Sequence, residues 1–186
     1  GAMGLRVVDV SDPAAPLAVG GIVFGGVNSN ATDACVAGTI AYVTDTYYGL
    51  RIVDVSNPLA PALLASLDTY SYANGVEVVG DIAYVADFSR SFYMINVSNP
   101  SAPSLIRSQP NPWYSAQKLE VSGDIVTVIH SQSGLEVWNV ATIPPLLVGA
   151  LDTPGLGSDV TMVGSTALIA DGSGGVRSVD LTAAPH

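Results

Sequence analysis

The chain has 186 residues, of which 48% are hydrophobic and 12% are charged. This apolar content is enough for one sizeable core, which excludes intrinsic disorder and makes a single domain the default. Six Lys and Arg against 16 Asp and Glu give a formal net charge of −10, which argues against nucleic-acid binding because it repels a phosphate backbone.

The chain has one cysteine, Cys35, which excludes an internal disulfide and a zinc site built from several thiolates. It has no run of about 18 apolar residues, so the sequence predicts no membrane insertion. We interpret residues 1–3 as the remnant of a cleaved tag, and the chain then begins within a strand-like run at Gly4. We therefore expect it to derive from a longer precursor.

The sequence repeats itself with a period of about 42 residues, a length typical of repeat architectures. Segments that begin at Ala41, Ala83, Val126 and Ala167 align with one another, and the N-terminal residues match the second half of the same unit. The predicted domain 4–186 therefore divides into units 4–40 (partial), 41–82, 83–125, 126–166 and 167–186 (partial).

Each unit contains four short apolar runs separated by turn residues, which is typical of β-strands. Around the unit that begins at Ala83, strands are predicted at 75–79, 82–86, 92–97 and 104–108. Third strands such as 50–55 are apolar on both faces, which indicates that the sheet is covered on both sides. Four-stranded antiparallel units stacked between copies of themselves predict an all-β protein, a β-propeller.

Seventeen strands are predicted, one more than four closed blades need. Either four blades form a ring with one redundant strand, or the chain is an arc of a larger ring that a second copy or another chain completes. We favour the arc, and we expect self-association because an open arc exposes an apolar blade face.

The units resemble the LVIVD repeat, a bacterial and archaeal propeller repeat named for its third strand, which here reads LRVVDV, LRIVDV and LEVWNV. The motifs AYVxD, GLxIVDVSNP and NGVxVxGD recur in order over nearly the whole chain. The resemblance implies a propeller from a secreted or cell-surface protein of unassigned activity. We accordingly expect an extracellular or cell-surface location.

Two sets of polar residues recur once per unit. The third strands end in Asp9, Asp54, Asn96, Asn139 and Asp180, and the second strands end in Asp45, Asp87, His130 and Asp171. A catalytic carboxylate occurs once in a fold, so the aspartates and asparagines of both repeated sets are predicted to form turns. His130 is the departure from the second set, and on the same rim as Asp87 and Arg90 it could do acid–base work.

Aromatic residues are concentrated in the loops after the second strands and in the links between blades, which share one face of a propeller. We predict a binding surface there for a glycan or a protein partner, because flat amphipathic rings beside polar groups suit both. Unit 83–125 departs most from the repeat, which makes it the favoured position, and Trp113 is the predicted hot spot. The candidate residues are Trp113, Tyr114, Phe88, Arg90, Asp87, Tyr70, Tyr72, Tyr48 and His130.

The favoured function is a non-catalytic module for binding or assembly. The alternative is a polysaccharide hydrolase or lyase in which Asp87, Arg90 and His130 act as acid, anchor and base. The sequence contains no nucleophile elbow, phosphate-binding loop or zinc-protease motif. No cofactor is expected, although loop carbonyls leave calcium open.

Overall fold

The computed structural model describes residues 4–110 and 115–183. These residues form seventeen strands in five antiparallel sheets, with two single-turn 3-10 helices at Gly172–Gly174 and Leu181–Ala183. The all-β prediction and the strand count are therefore confirmed. Within these residues, no helix has the length and apolar content needed to cross a membrane.

Each sheet is one blade, and its strands pair in chain order. The first blade holds β1 (Leu5–Asp9) and β2 (Leu17–Ile22). The second blade holds β3 (Ala31–Ala37), β4 (Ile40–Asp45), β5 (Gly49–Asp54) and β6 (Ala62–Leu67), and the third holds β7 (Ala73–Val79), β8 (Ile82–Asp87), β9 (Arg90–Asn96) and β10 (Ser104–Pro110). The fourth blade holds β11 (Ala116–Ser122), β12 (Ile125–His130), β13 (Gly134–Asn139) and β14 (Leu146–Leu151), and the fifth holds β15 (Asp159–Val163), β16 (Thr166–Ala170) and β17 (Val176–Asp180).

The blades are shifted by one strand relative to the sequence repeat. The repeat unit that begins at Ala41 contributes strands two to four of one blade and the first strand, β7, of the next. The first strands β3, β7, β11 and β15 pack in succession, so they form the inner edge of the propeller arc. Each repeat unit of the sequence therefore spans two neighbouring blades and connects them.

Apolar side chains form a separate core between each pair of neighbouring blades. In the complete blades the third strands are buried on both faces, as their apolar pattern predicted; Ile52 and Val53 are 0% exposed. The fifth blade packs one face on the fourth and leaves the other open, where Val163 is 63% exposed and Val176 is 80% exposed. No core cluster of residues 4–110 and 115–183 joins the first and fifth blades.

The residues that end the third strands fold back on the following turn in all five blades. Oδ1 of each accepts the backbone N–H two residues later, at 2.8 to 2.9 Å, in Asp9, Asp54, Asn96, Asn139 and Asp180. These bonds satisfy N–H groups that the sheet cannot reach. The predicted turn-forming role of this set is confirmed.

The interface between the fourth and fifth blades contains a cavity of 350 Å³ lined by Ile125, Val137 and Met162, among others. Tyr42 and Tyr84 occupy one position of the second strand in the two preceding blades, and both are buried in the interface to the next blade. The fourth blade has Thr127 at this position, paired with Val137.

Candidate functional site

The loops after the second strands and the links between blades meet on one face, which we call the upper face. Phe88 N donates to Tyr72 O at 2.9 Å, Thr46 N to Asn30 O at 3.0 Å and Ser131 N to Ser115 O at 3.1 Å. Each bond joins the loop of one blade to the link that precedes its first strand. The predicted sharing of a face by these two kinds of loop is confirmed.

Three aromatic rings form a continuous row on the upper face. The ring centroids of Tyr47 and Tyr72 are 5.2 Å apart with an interplanar angle of 84°, and those of Tyr72 and Phe88 are 5.7 Å apart at 59°. Edge contacts of this kind are favourable because the positive ring edge meets a negative ring face. All three rings are partly exposed, so the row joins the second and third blades and presents aromatic surface to solvent.

A cavity of 490 Å³ opens beside this row and is lined by Tyr47, Asp68, Tyr70, Ser71 and Tyr72. Tyr70 has a φ of 63° and is 88% exposed. The Asp68 carboxylate holds this turn by accepting the N–H of Tyr70 at 2.7 Å. The cavity thus combines three tyrosine rings with the Asp68 carboxylate and the Ser71 hydroxyl, and polar groups of this kind orient a ligand.

The other candidates are not part of the row. Tyr48 is half-buried, with its ring 4.5 Å from the Arg51 guanidinium carbon, and it donates to Val27 O at 3.3 Å. Its contacts are therefore those of a packing residue. Arg90 is exposed at the start of β9. Trp113 and Tyr114 lie outside the described residues.

His130 is fully buried, which contradicts its predicted place on a binding rim. Its Nε2 lies 3.1 Å from Glu136 Oε2, and the same oxygen accepts the Ser91 hydroxyl at 2.7 Å and the Trp138 indole N–H at 2.9 Å. Burial alone would raise the pKa of Glu136, but the contacts with His130, Ser91 and Trp138 outweigh it and lower that pKa. His130 therefore belongs to a structural cluster that ties the third blade to the fourth.

This cluster reverses a charge pattern found in other blades. In two other blades an arginine follows the aspartate by six positions and contacts it diagonally across the hairpin: Arg51 lies 3.5 Å from Asp45, and Arg177 lies 2.8 Å from Asp171. In the fourth blade the base, His130, takes the position of the aspartate, and the acid, Glu136, takes that of the arginine. In the third blade the pair is Asp87 and Tyr93.

The side chains of Asp45 and Asp171 accept hydrogen bonds from the links between blades instead of from the local turn. Asp45 accepts the Ser29 hydroxyl at 2.6 Å and Asn30 N at 2.9 Å, and Asp171 accepts the Thr153 hydroxyl at 2.6 Å and Gly155 N at 3.1 Å. All four donors lie in links between blades. The predicted local role was wrong for these two, because each carboxylate fastens the incoming link to its blade.

Asp87 is the exception among the aspartates. Its Oδ1 accepts the Ser89 N–H at 3.0 Å and the Ser89 hydroxyl at 2.9 Å, which is the predicted local turn. Its Oδ2 is buried without a well-formed hydrogen bond, and the nearby buried hydroxyl of Thr69 also lacks one. Burial raises the pKa of Asp87, and the partial relief from Thr69, Ser89 and Arg90 does not offset it.

We expect Asp87→Asn to stabilise the protein at neutral pH. Since the folded-state pKa of Asp87 is raised, the stability it contributes is fully present below its unfolded-state pKa and is lost as pH rises through the folded-state pKa. The Asp87→Asn variant has no carboxylate to ionise, so it avoids this loss of stability, and its amide N–H can donate to the Thr69 hydroxyl. We expect the free energy of unfolding to rise by an amount on the order of 1 kcal/mol. Urea unfolding at pH 3 and pH 7 measures it, and the advantage of the variant should grow with pH.

The control is Asp45→Asn, since both oxygens of Asp45 already have donors. It should lose stability at pH 7. An Asp87→Asn variant that loses as much as Asp45→Asn at pH 7 would contradict the interpretation of Asp87.

The predicted acid, anchor and base do not form an open catalytic cleft. Asp87 and His130 are both 0% exposed, and of the three only Arg90 reaches solvent. Each buried group is engaged by its own blade or by a neighbouring one. The hydrolase or lyase hypothesis therefore has no support from the geometry of these residues.

A row of carboxylates on the inner strands was not predicted from the sequence. Asp33 Oδ2 accepts Val76 N at 3.0 Å and Glu77 Oε2 accepts Val121 N at 2.6 Å, each from one blade to the next. The only lysine, Lys118, lies 2.7 Å from Asp33 Oδ1. The spacing of Asp33, Glu77 and Glu120 by about one repeat was the signal that could have revealed this row. The part of the chain that the structure describes has no group of three or more His, Cys, Asp or Glu placed to hold a metal ion.

A sequence profile described as the LVIVD repeat matches residues 2–22, 29–69 and 71–109. No curated protein sequence matches the chain. Among solved structures, the computationally designed Ika8 protein matches with a TM-score of 0.72 and 12% identity over 89% of this chain and 49% of Ika8. The computationally designed Ika4 protein matches with a TM-score of 0.67 and 14% identity over 84% of this chain and 94% of Ika4. The chain thus spans about half the length of Ika8, and these likenesses show the fold alone.

Proposed function

Because the chain belongs to the LVIVD repeat family, we propose that it is a non-catalytic propeller module of an extracellular or cell-surface protein that binds a glycan through its upper face. The observation that carries the proposal is the exposed row of Tyr47, Tyr72 and Phe88 beside the cavity that Asp68 and Tyr70 line.

The chemistry of this surface favours a sugar. The apolar face of a pyranose stacks on an aromatic ring, while its hydroxyl groups donate to a carboxylate such as Asp68. The cavity of 490 Å³ is of the size that holds small ligands. A stable protein partner would bury about 800 Å² of this chain's surface. That area extends well beyond the residues that line one cavity, so a protein ligand is the second choice.

The excess of acidic residues also constrains the ligand. With a net charge of −10 and Asp68 in the cavity wall, the surface repels uronic acids and sulfated sugars. We therefore expect a neutral glycan.

We expect Tyr72→Ala to weaken glycan binding by about tenfold or more, because Tyr72 contacts both other rings of the row and losing a central aromatic contact commonly costs more than 1 kcal/mol. A glycan array identifies the ligand, and calorimetric titration with that glycan measures the affinity of each variant. Trp113→Ala is measured in parallel, as the predicted hot spot.

The matched control is Leu59→Ala, which removes an exposed apolar side chain elsewhere and should leave affinity unchanged. Circular dichroism confirms that each variant remains folded. If Tyr72→Ala and the native chain bound the glycan with equal affinity, the aromatic row would not be the binding site. Pull-down of one protein partner, lost in Tyr72→Ala and with no array signal, would replace the glycan by a protein ligand.

A further inference from the structure

The two ends of the arc contain complementary parts of one blade. The first blade has only strands of the third and fourth kind, β1 and β2, while the fifth has strands of the first, second and third kind, β15 to β17. Strands β15 and β16 followed by β1 and β2 would make one complete blade. Among the described residues, the third position of this blade is supplied twice, by β1 and by β17.

The sequence of β1 fits that third position better than β17 does. In the second blade the position is filled by Leu50, Ile52 and Val53, all 0% exposed. Strand β1 has Leu5, Val7 and Val8 in their places, whereas β17 has a serine, Ser178, where β5 has Ile52. Yet Val8 is 47% exposed in this structure. Strand β1 thus has the apolar pattern of a strand that is buried on both faces, but the face that carries Val8 is not covered by another blade.

Charge placement agrees with this exchange. Arg6 aligns with Arg51 and Arg177, the two arginines that pair with the aspartate ending the neighbouring second strand. Arg6 is exposed. Placed beside β16, it would face Asp171 in the way that Arg177 does now.

We propose that two copies of this chain close a ring by exchanging these ends, so that β1 of each copy pairs with β16 of the other and displaces β17. Each copy then contributes three complete blades, and the two composite blades bring the ring to eight. Val8 takes the place of Val179, which packs against the fourth blade, and the open face of the fifth blade is covered by the second blade of the other copy.

The register of the present β16–β17 pair fixes the contacts of the composite blade. Leu168 now pairs with Ser178 and Ala167 with Val179. By alignment, Leu168 would pair with Val7 and Ala167 with Val8 of the other copy. A disulfide between positions 168 and 7 therefore reports the exchanged state, and one between positions 168 and 178 reports the unexchanged state.

The test uses the full chain in a Cys35→Ser background, since Cys35 is its one free thiol. After mild oxidation, Leu168→Cys with Val7→Cys is expected to give a covalent dimer on a non-reducing gel. Leu168→Cys with Ser178→Cys is the matched control, expected to link poorly and within one chain. The proposal is overturned by no link in the first pair, by an intrachain link that closes a ring within one copy, or by a ladder of longer chains.

Sedimentation at about 0.15 M salt, where screening limits repulsion between acidic copies, adds a readout without cysteines. The native chain is expected to be a dimer, and Val8→Asp is expected to be a folded monomer by circular dichroism. Leu105→Asp is the control, because Leu105 is similarly exposed on the outer strand of a complete blade. A monomeric native chain, or equal dissociation of both variants, would overturn the proposal.

Discussion

Replacing Glu136 by alanine is expected to lower the free energy of unfolding by about 3 kcal/mol or more, because each buried donor left without its acceptor costs about 1–3 kcal/mol. One oxygen of this side chain serves three buried groups, His130, Ser91 and Trp138. Their donors would be left in the interface between the third and fourth blades with no acceptor. Chemical denaturation followed by tryptophan fluorescence measures the loss.

Glu136→Gln separates charge from hydrogen bonding, because its carbonyl oxygen can still accept from Ser91 and Trp138. It should cost less than alanine. Glu77→Ala is a matched control for a lost carboxylate, since Glu77 accepts a backbone hydrogen bond from Val121 N and is less buried. If Glu136→Ala cost no more than Glu77→Ala, the cluster would not be the central link between these blades.

A second large effect is expected at Gly134, which begins β13 with a φ of 73°. An added Cβ would overlap the carbonyl oxygen of Leu151 and lie 2.6 Å from the backbone N of Thr153. The left-handed backbone costs a non-glycine residue roughly 1–2 kcal/mol and overpacking a further 1–3 kcal/mol. Gly134→Ala should therefore destabilise the chain by about 3 kcal/mol in urea titration.

Gly123 provides the comparison within the same blade. It has a φ of 59°, and an added Cβ meets no atom within 4 Å. Gly123→Ala should cost only the backbone contribution, about 1 kcal/mol. Equal losses for the two alanine variants would show that crowding at Leu151 has no energetic weight.

The sequence predicted the fold closely because each blade signal is local and occurs several times. Two-residue turns such as Gly80-Asp81 separate the strands. The apolar pattern on both faces of 50–55 identifies strands that are buried between blades. The open ends of the arc could also be anticipated by counting strands. The phase of the blades was predicted as well, because strands 75–79, 82–86, 92–97 and 104–108 were expected in one unit, and the structure pairs β7 with β8 in the same blade.

The site was harder to predict, since its contacts join residues about one repeat apart in sequence. Loop composition placed Tyr72 and Phe88 on one face, but it could not distinguish the exposed Tyr47 from the packed Tyr48. His130 was assigned to the rim because it replaces a loop aspartate. The β12–β13 register pairs His130 with Gly134, and Glu136 reaches His130 only diagonally, through its side chain. The packing of two blades brings Ser91 to the same oxygen.

The reversed positions of acid and base in the fourth blade favour correct strand pairing during folding. Repeats this similar can exchange hairpin strands during folding, which is a common route to kinetic traps in repeat proteins. Pairing β4 with β13 would bury Asp45 against Glu136, and pairing β12 with β5 would bury His130 against Arg51. Both exchanges place like charges, or an unpaired charge, in an apolar interface, at a cost of several kcal/mol. The placement of acid and base in the fourth blade thus favours the pairing of its own second and third strands, β12 and β13.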